Sequence, residues 1–401
     1  MRFFAASSLA CLLLVPACNS SDDSDLAGRR AERQQAQASA HAETTPPPVP
    51  TRQPASGIWI SPARLRALPM AGTAWDRLRA AADGPLGVAD IADQDSDHDV
   101  LTMAVALVYA RTGQETYRKR AADAIESAMG TEEGGSTLAV GRNLLSYIIA
   151  ADLIDLRDFD RSADDAFRVW LAHVRTETLT SGAVPDTTLV VTAERAMNNW
   201  GGMAGASRAA IAAYLGDQED LARAAKVMKG WLGDRSAYPG IPGDLYRSDD
   251  IGKGFRAGGY NDDLSWQAHP ERPQGVNPQG ATKDGHSIDG ALPDDMRRGA
   301  SFRWPPAYTQ YPREALSGYV ALAEVLSRQG YDVYSWENKA LLRATRFLYD
   351  LGRRFPDQGW WEPQVPAYWI INYRYGTSFP VEVGTQVGRN FGWTDWTHAP
   401  R

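Results

Sequence analysis

Residues 104–113 read Ala-Val-Ala-Leu-Val-Tyr-Ala-Arg-Thr-Gly. Val100, Leu101, Ala104 and Val108 recur at helical spacing on one face, so the stretch is the end of an apolar helix. Gly113 is its stop, because glycine enters the left-handed region that closes a helix at little cost. A second apolar stripe, Ala121, Ile125 and Met129, follows at once. Helix, glycine, helix then returns twice. Residues 209–216 end in Tyr214-Leu215-Gly216 before a helix over 217–232, and residues 316–330 end in Arg328-Gln329-Gly330 before a helix over 336–351. Leu144, Ile148, Ala151 and Leu153 form a further stripe, as do Met203, Ala206 and Ala210. Repeated antiparallel helical hairpins predict an all-α chain, and hairpins stacked in a ring make an (α/α) toroid with a central cleft. An ordinary helical solenoid is the other arrangement this pattern allows.

The spacing breaks down between 233 and about 309, where Gly, Pro, Asp, Asn and Arg crowd together. A long loop-rich insertion in a compact domain usually carries function. The end of the chain, 357–401, is rich in aromatics, including Trp360, Trp361, Tyr368, Trp369, Tyr373, Tyr375, Trp393 and Trp396. Flat aromatic faces suit sugar rings, but most such residues serve a core.

Met1-Arg2 followed by an apolar run to Ala17 reads as an export signal, too short for a typical membrane span. It ends Leu14-Val15-Pro16-Ala17-Cys18, which resembles a bacterial lipobox with Cys18 as the lipidated residue. Residues 19–56 hold few large apolar groups and predict a disordered tether. The folded domain is expected over 57–401, and the protein is expected in the periplasm or on the outer membrane as a lipoprotein, touching the membrane only through that anchor. Cys11 and Cys18 are the only cysteines, so the mature domain holds neither a disulfide nor a thiol nucleophile. Hydrophobic residues make up 43% of the 401, which is globular, and the net charge of −7 argues against a nucleic-acid partner. An acidic polymer would need a locally basic cleft.

Three clusters carry candidate chemistry. Asn198-Asn199-Trp200-Gly201-Gly202 precedes the stripe that starts at Met203; one asparagine serves as a helix cap, but two amides and two glycines exceed what a cap needs. Lys283-Asp284-Gly285-His286 lies in the insertion. Arg297-Arg298-Gly299 and Arg303-Trp304 are followed by Tyr308-Thr309-Gln310-Tyr311 at the start of a helix. The bland reading of each is a turn or a packing residue.

In their order and spacing, Asn-Asn-Trp-Gly before an Ala-rich helix, Asp-Gly-Ala-Leu-Pro-Asp-Asp-Met-Arg-Arg-Gly over 289–299, and Tyr-Thr-Gln-Tyr entering a helix resemble the alginate lyase family. The ending Gly392-Trp393-Thr394-Asp395-Trp396-Thr397-His398 is similar to that of distant bacterial members. The resemblance spans roughly 58–400. It implies an α/α toroid that cleaves a 1,4-linked uronate polymer, alginate or a relative such as glucuronan, by β-elimination. It maps the family's amide to Asn199, its arginine to Arg298 and its tyrosine to Tyr308 or Tyr311. Alginate lyases place a histidine after the asparagine, and here Trp200 stands instead. Either His286 supplies the imidazole or the tyrosine acts alone. Asn198, Trp200, Lys283, Arg303, Trp304 and His98 are the candidate substrate-binding residues.

Elimination explains these residue types. The proton at C5 of a uronate is weakly acidic while the adjacent carboxylate keeps its charge, so an amide and a guanidinium that stabilise the enolate-like intermediate lower the barrier. A tyrosine, with an ordinary pKa near 10, needs a cation beside it to act as base. The scheme requires no metal or other cofactor. Asp93-Gln94-Asp95-Ser96-Asp97-His98-Asp99 has the alternating acids of a calcium loop. It lacks that loop's Gly at position six and Glu at twelve, and reads as a helix start. Two competing functions remain: a glycoside hydrolase using a carboxylate pair among Asp284, Asp289, Asp294 and Asp295, and a non-catalytic glycan-binding lipoprotein.

Overall fold

The computed structural model describes residues 57–180, 188–238, 263–384 and 390–400. The signal-like segment with Cys18 and the tether over 19–56 lie outside the described residues. The described chain is all-α, with one two-stranded hairpin.

Helices α1 (Pro62–Ala67), α2 (Thr73–Asp83), α3 (His98–Thr112), α4 (Glu115–Ala128), α5 (Thr137–Leu153), α6 (Leu156–Phe159) and α7 (Arg161–Val174) form the first part. Next come α8 (Leu189–Arg195), α9 (Asn199–Leu215) and α10 (Gln218–Leu232). The insertion contains hairpin strands β1 (Thr282–Lys283) and β2 (His286–Ser287) and the single turn α11 (Pro293–Met296). Helices α12 (Tyr311–Arg328), α13 (Trp336–Arg354), α14 (Pro366–Tyr375) and α15 (Thr394–Thr397) complete the chain.

Two kinds of helix alternate. In α5 every residue from Thr137 to Ala151 is buried, and α9 is buried almost all round. Helices apolar on every side belong to an interior layer. By contrast α4, α7, α10 and α13 each bury a single stripe and cover the inner row from outside. In the inner row α3 packs on α5, α5 on α9, α9 on α12, and α12 on α14. The terminal turn α15 touches both α14 and α2, and α2 packs on α3. Trp393 donates from Nε1 to Val100 O at 2.7 Å, and Asp395 pairs with Arg77 at 2.7 Å, so the C-terminal segment is fastened to the first helices. This order of neighbours is compatible with a ring of hairpins.

The glycine stops at Gly113 and Gly216 adopt φ of 70° and 76° and cap α3 and α9. Helix α9 begins at Asn199, four residues before the apolar stripe, because the Asn198 side chain caps it by accepting from Trp200 N at 3.0 Å. The two glycines after the cap answer to packing. A Cβ on Gly201 would lie 1.8 Å from Ala196 O, and one on Gly202 would lie 2.8 Å from the Tyr319 ring. On the facing helix, a Cβ on Gly318 would lie 2.8 Å from Gly202 C.

The described part of the insertion is ordered by side chains that hold backbone groups. Asn277 donates to Trp266 O and accepts from Ala268 N, while Gln267 both accepts from Gln274 N and donates to Gln274 O. Of the C-terminal aromatics, Trp360, Tyr368, Trp393 and Trp396 are buried core. Trp361 stacks on Tyr368 at 3.8 Å, so these rings are used by the fold and not offered to a sugar.

Candidate active site

The segment before α9 is fixed by three groups. Tyr319 OH donates to Ala196 O at 3.2 Å, Trp231 Nε1 donates to Met197 O at 3.0 Å, and the Tyr319 and Trp231 rings stack at 3.5 Å. Asn198 then caps the helix and Asn199 N donates to Asp295 Oδ1 at 3.3 Å. The Asn199 side chain is therefore placed by α9, α10, α11 and α12 together.

Arg298 donates from Nη1 to Asn199 Oδ1 at 2.9 Å, and its guanidinium lies 3.1 Å from the centroid of the Tyr311 ring. An arginine can only donate, so the contact fixes the amide with Oδ1 toward Arg298 and leaves Nδ2 to donate elsewhere. Asn199, Arg298 and Tyr311 thus form one cluster, with Asn199 distant in sequence from the other two. One turn along α12 from Tyr311, Glu314 pairs with Arg142 of α5 at 2.5 Å. A cavity of about 350 Å³ opens there, lined by Arg142, Met203, Gln310, Arg313 and Glu314 among others.

Beneath the cluster lies Asp295, which is fully buried. Burial pushes its carboxyl well above the ordinary value, the neighbouring Asp294 adds to this, and Arg298 opposes it. As the acceptor for Asn199 N, it holds in place the start of α9, a contact that the sequence, read for hydrolytic acids, did not suggest. The signal was present in Asp-Asp next to Arg-Arg, but which acid faces inward depends on the turn of α11. Asp294 is committed elsewhere, to Arg297 at 2.6 Å.

The other candidates separate from this cluster. Tyr308 is 42% exposed and lies edge-on to Trp360 at 5.3 Å, beside Gly359. His286 stacks on Trp304 at 4.5 Å with 9° between the planes, and no contact joins it to Asn199, Arg298 or Tyr311. Arg303 is exposed and donates to Pro305 O at 3.3 Å. Lys283 donates to Ser265 O and sits over the Phe302 ring, so it braces the hairpin against the rest of the insertion. Asn198 is spent on its cap. Trp200 follows Asn199 on the first turn of α9, half-buried.

His98 is a correction of a different kind. It is buried, with Nδ1 2.7 Å from Tyr147 OH, and burial lowers its pKa, so it is a neutral core histidine and does not line a cleft. The acids before it close their own turns: Asp90 Oδ1 accepts from Ala92 N and Asp93 N, and Asp93 Oδ1 accepts from Asp95 N. The carboxylates considered for hydrolysis are also distributed differently from a cleft pair. Asp289 is tied to Arg343 at 2.7 Å, and Asp284 is exposed on the hairpin turn with φ of 49°.

No curated protein and no solved structure matches the chain. The family model described as alginate lyase matches residues 83–239, a stretch that holds Asn199 and stops short of Arg298 and Tyr311. With the all-α architecture and the convergence of those three residues on one cluster, the match makes the chain similar, over residues 83–239, to the alginate lyase family.

Proposed function

We propose that this protein is a polysaccharide lyase that cleaves a 1,4-linked uronate polymer by β-elimination, with Tyr311 as the base. The similarity of residues 83–239 to the alginate lyase family supports lyase activity in general. The observation that carries the finer reading is the placement of Arg298 between Asn199 and Tyr311.

In this reading the substrate carboxylate receives hydrogen bonds from Asn199 Nδ2 and from guanidinium N–H groups that Arg298 has not spent on Asn199. Those contacts strengthen as charge moves from C5 onto the carboxylate oxygens, so they favour the transition state over the ground state. Tyr311, as phenolate, takes the C5 proton. The electron pair forms the C4–C5 double bond, the C4–O bond breaks, and the phenol returns its proton to the departing oxygen. His286 stacks on Trp304, away from the cluster, which supports the reading in which the tyrosine acts without an imidazole. Export and lipidation at Cys18 belong to the same proposal, and Cys18→Ser would move the protein out of the membrane fraction.

The test is ultraviolet absorbance of the mature domain incubated with alginate, polymannuronate, polyguluronate, glucuronan and hyaluronan. Elimination leaves a conjugated double bond and the signal rises with one of them. Reducing ends without that signal mean hydrolysis and overturn the proposal.

A further inference from the structure

A second groove lies between the β1–β2 hairpin and α13. It measures about 240 Å³, and its walls include Ser287, Asp289, Trp304, Arg343, Arg346 and Arg354. That is just below the roughly 300 Å³ of pockets that enclose a whole small ligand. It suits one section of a longer chain passing over it.

The charges of the groove do not cancel. Arg343 is committed: it pairs with Asp289 at 2.7 Å and donates to Asn277 O, Glu337 O and Asn338 O. Arg346 and Arg354 are exposed, eight residues apart on one face of α13, and have no hydrogen bond or ion pair among the described residues. Asp350, also in the groove, stands between them at four-residue spacing and can neutralise one. One positive charge remains in excess, in a chain whose net charge is −7. Beside these guanidinium groups stands Trp304, half-buried, held against His286 on one side and angled to Phe355 at 6.1 Å.

We propose that this groove binds a negatively charged sugar residue of an acidic polysaccharide, with Arg346 and Arg354 meeting carboxylates and Trp304 meeting the apolar face of the ring. Arginine suits the role because its planar fork matches a carboxylate with two parallel hydrogen bonds. The indole suits it because carbon-bound hydrogens of a sugar pack on an aromatic surface. The groove is separate from the Asn199–Arg298–Tyr311 cluster but close to it along the chain. Six residues link Trp304 to Arg298, a span of at most about 20 Å. Phe355, against Trp304, leads in turn to Gly359 and Trp360, against which Tyr308 lies. A polymer engaged at the cluster can therefore extend over Tyr308 to Trp304. The identity of the anion rests on the polyuronate reading; the groove itself does not.

The experiment is electrophoresis of the full chain through gels containing alginate or, as a control, neutral dextran, in a Tyr311→Phe background so that the polymer stays intact. Retardation by alginate and not by dextran is expected. Arg346→Ala with Arg354→Ala should weaken apparent affinity about tenfold, the scale of losing two exposed ion pairs. Asp350→Asn should strengthen it, and added salt should narrow both differences. Equal retardation of the double variant and its parent overturns the proposal, as does the absence of retardation or equal retardation by dextran. Absorbance measured on the unsubstituted protein reports the lyase reading separately. A double variant that binds weakly, beside a parent that makes no double bond, keeps the groove and removes the lyase.

Discussion

Arg298 donates to the side-chain oxygen of Asn199 at 2.9 Å, joining residues 99 positions apart. The same guanidinium lies on Tyr311 and leaves Tyr308 aside against Trp360. Tyr311→Phe is therefore expected to lower kcat by about 10²–10⁴-fold with polymer binding retained, the range for losing a positioned acid–base group. Tyr308→Phe should keep kcat within a few-fold, since the ring contact with Trp360 survives the loss of the hydroxyl. Steady-state absorbance kinetics on both variants decide it. The reverse pattern assigns the base to Tyr308.

Asn199→Asp tests the amide. The substitution preserves shape and the contact with Arg298, but it replaces the free N–H donor by a carboxylate facing the substrate's own. A fall in kcat/KM of about 10²–10³-fold is expected, comparable to the loss of one donor to a developing oxyanion. Because Arg298 still has its acceptor, thermal stability should change little. A folded variant that keeps its kcat/KM would show that the amide N–H is not the donor.

The helical class and the hairpin stops were legible in the sequence because they depend on local rules. Spacing of apolar residues reports burial, and Gly113 and Gly216 report left-handed turns. The pairing of Asn199 with Arg298 was reachable only through resemblance, since no local pattern states that positions 99 apart meet. That Arg298 lies on Tyr311 and not on Tyr308 was not legible, because it depends on which ring the first turn of α12 delivers to Arg298. The surroundings of His98 and Lys283 were hidden for a related reason. A polar residue in a polar stretch looks available, and only the structure shows His98 turned to Tyr147 and Lys283 to Ser265.

The glycines of the Asn-Asn-Trp-Gly-Gly motif carry a prediction about stability instead of chemistry. A Cβ at Gly201 would overlap Ala196 O, a backbone atom also held by Tyr319 OH. Relief requires α9 to move away from the preceding turn, which also holds Met197 and Asn198. Gly201→Ala should cost about 1–3 kcal/mol or more, the usual penalty for overpacking. Gly113→Ala is a control: nothing lies near its Cβ, and its cost is that of φ at 70° alone. Urea denaturation of both variants separates the effects, with the larger loss expected at Gly201.

Asp99 supplies a pH dependence whose sign follows from its burial. Its carboxyl is fully buried on α3, Oδ2 has no partner among the described residues, and burial pushes its pKa up to about 8. In the unfolded chain the same group ionises near pH 4. Between those values the folded protein holds a proton that the unfolded protein has released, so this residue makes stability fall as pH rises, by up to about 1.4 kcal/mol per pH unit. The contribution is harmless below pH 4 and reaches its full cost above pH 8. Asp99→Asn removes the titration and keeps the shape. Relative to the parent, the variant should gain up to about 3 kcal/mol between pH 5 and pH 7.5, read from urea midpoints at the two values. Parallel curves for parent and variant across that window would mean that Asp99 is ionised in the folded protein and that a charge is satisfied within the α3–α5 interface.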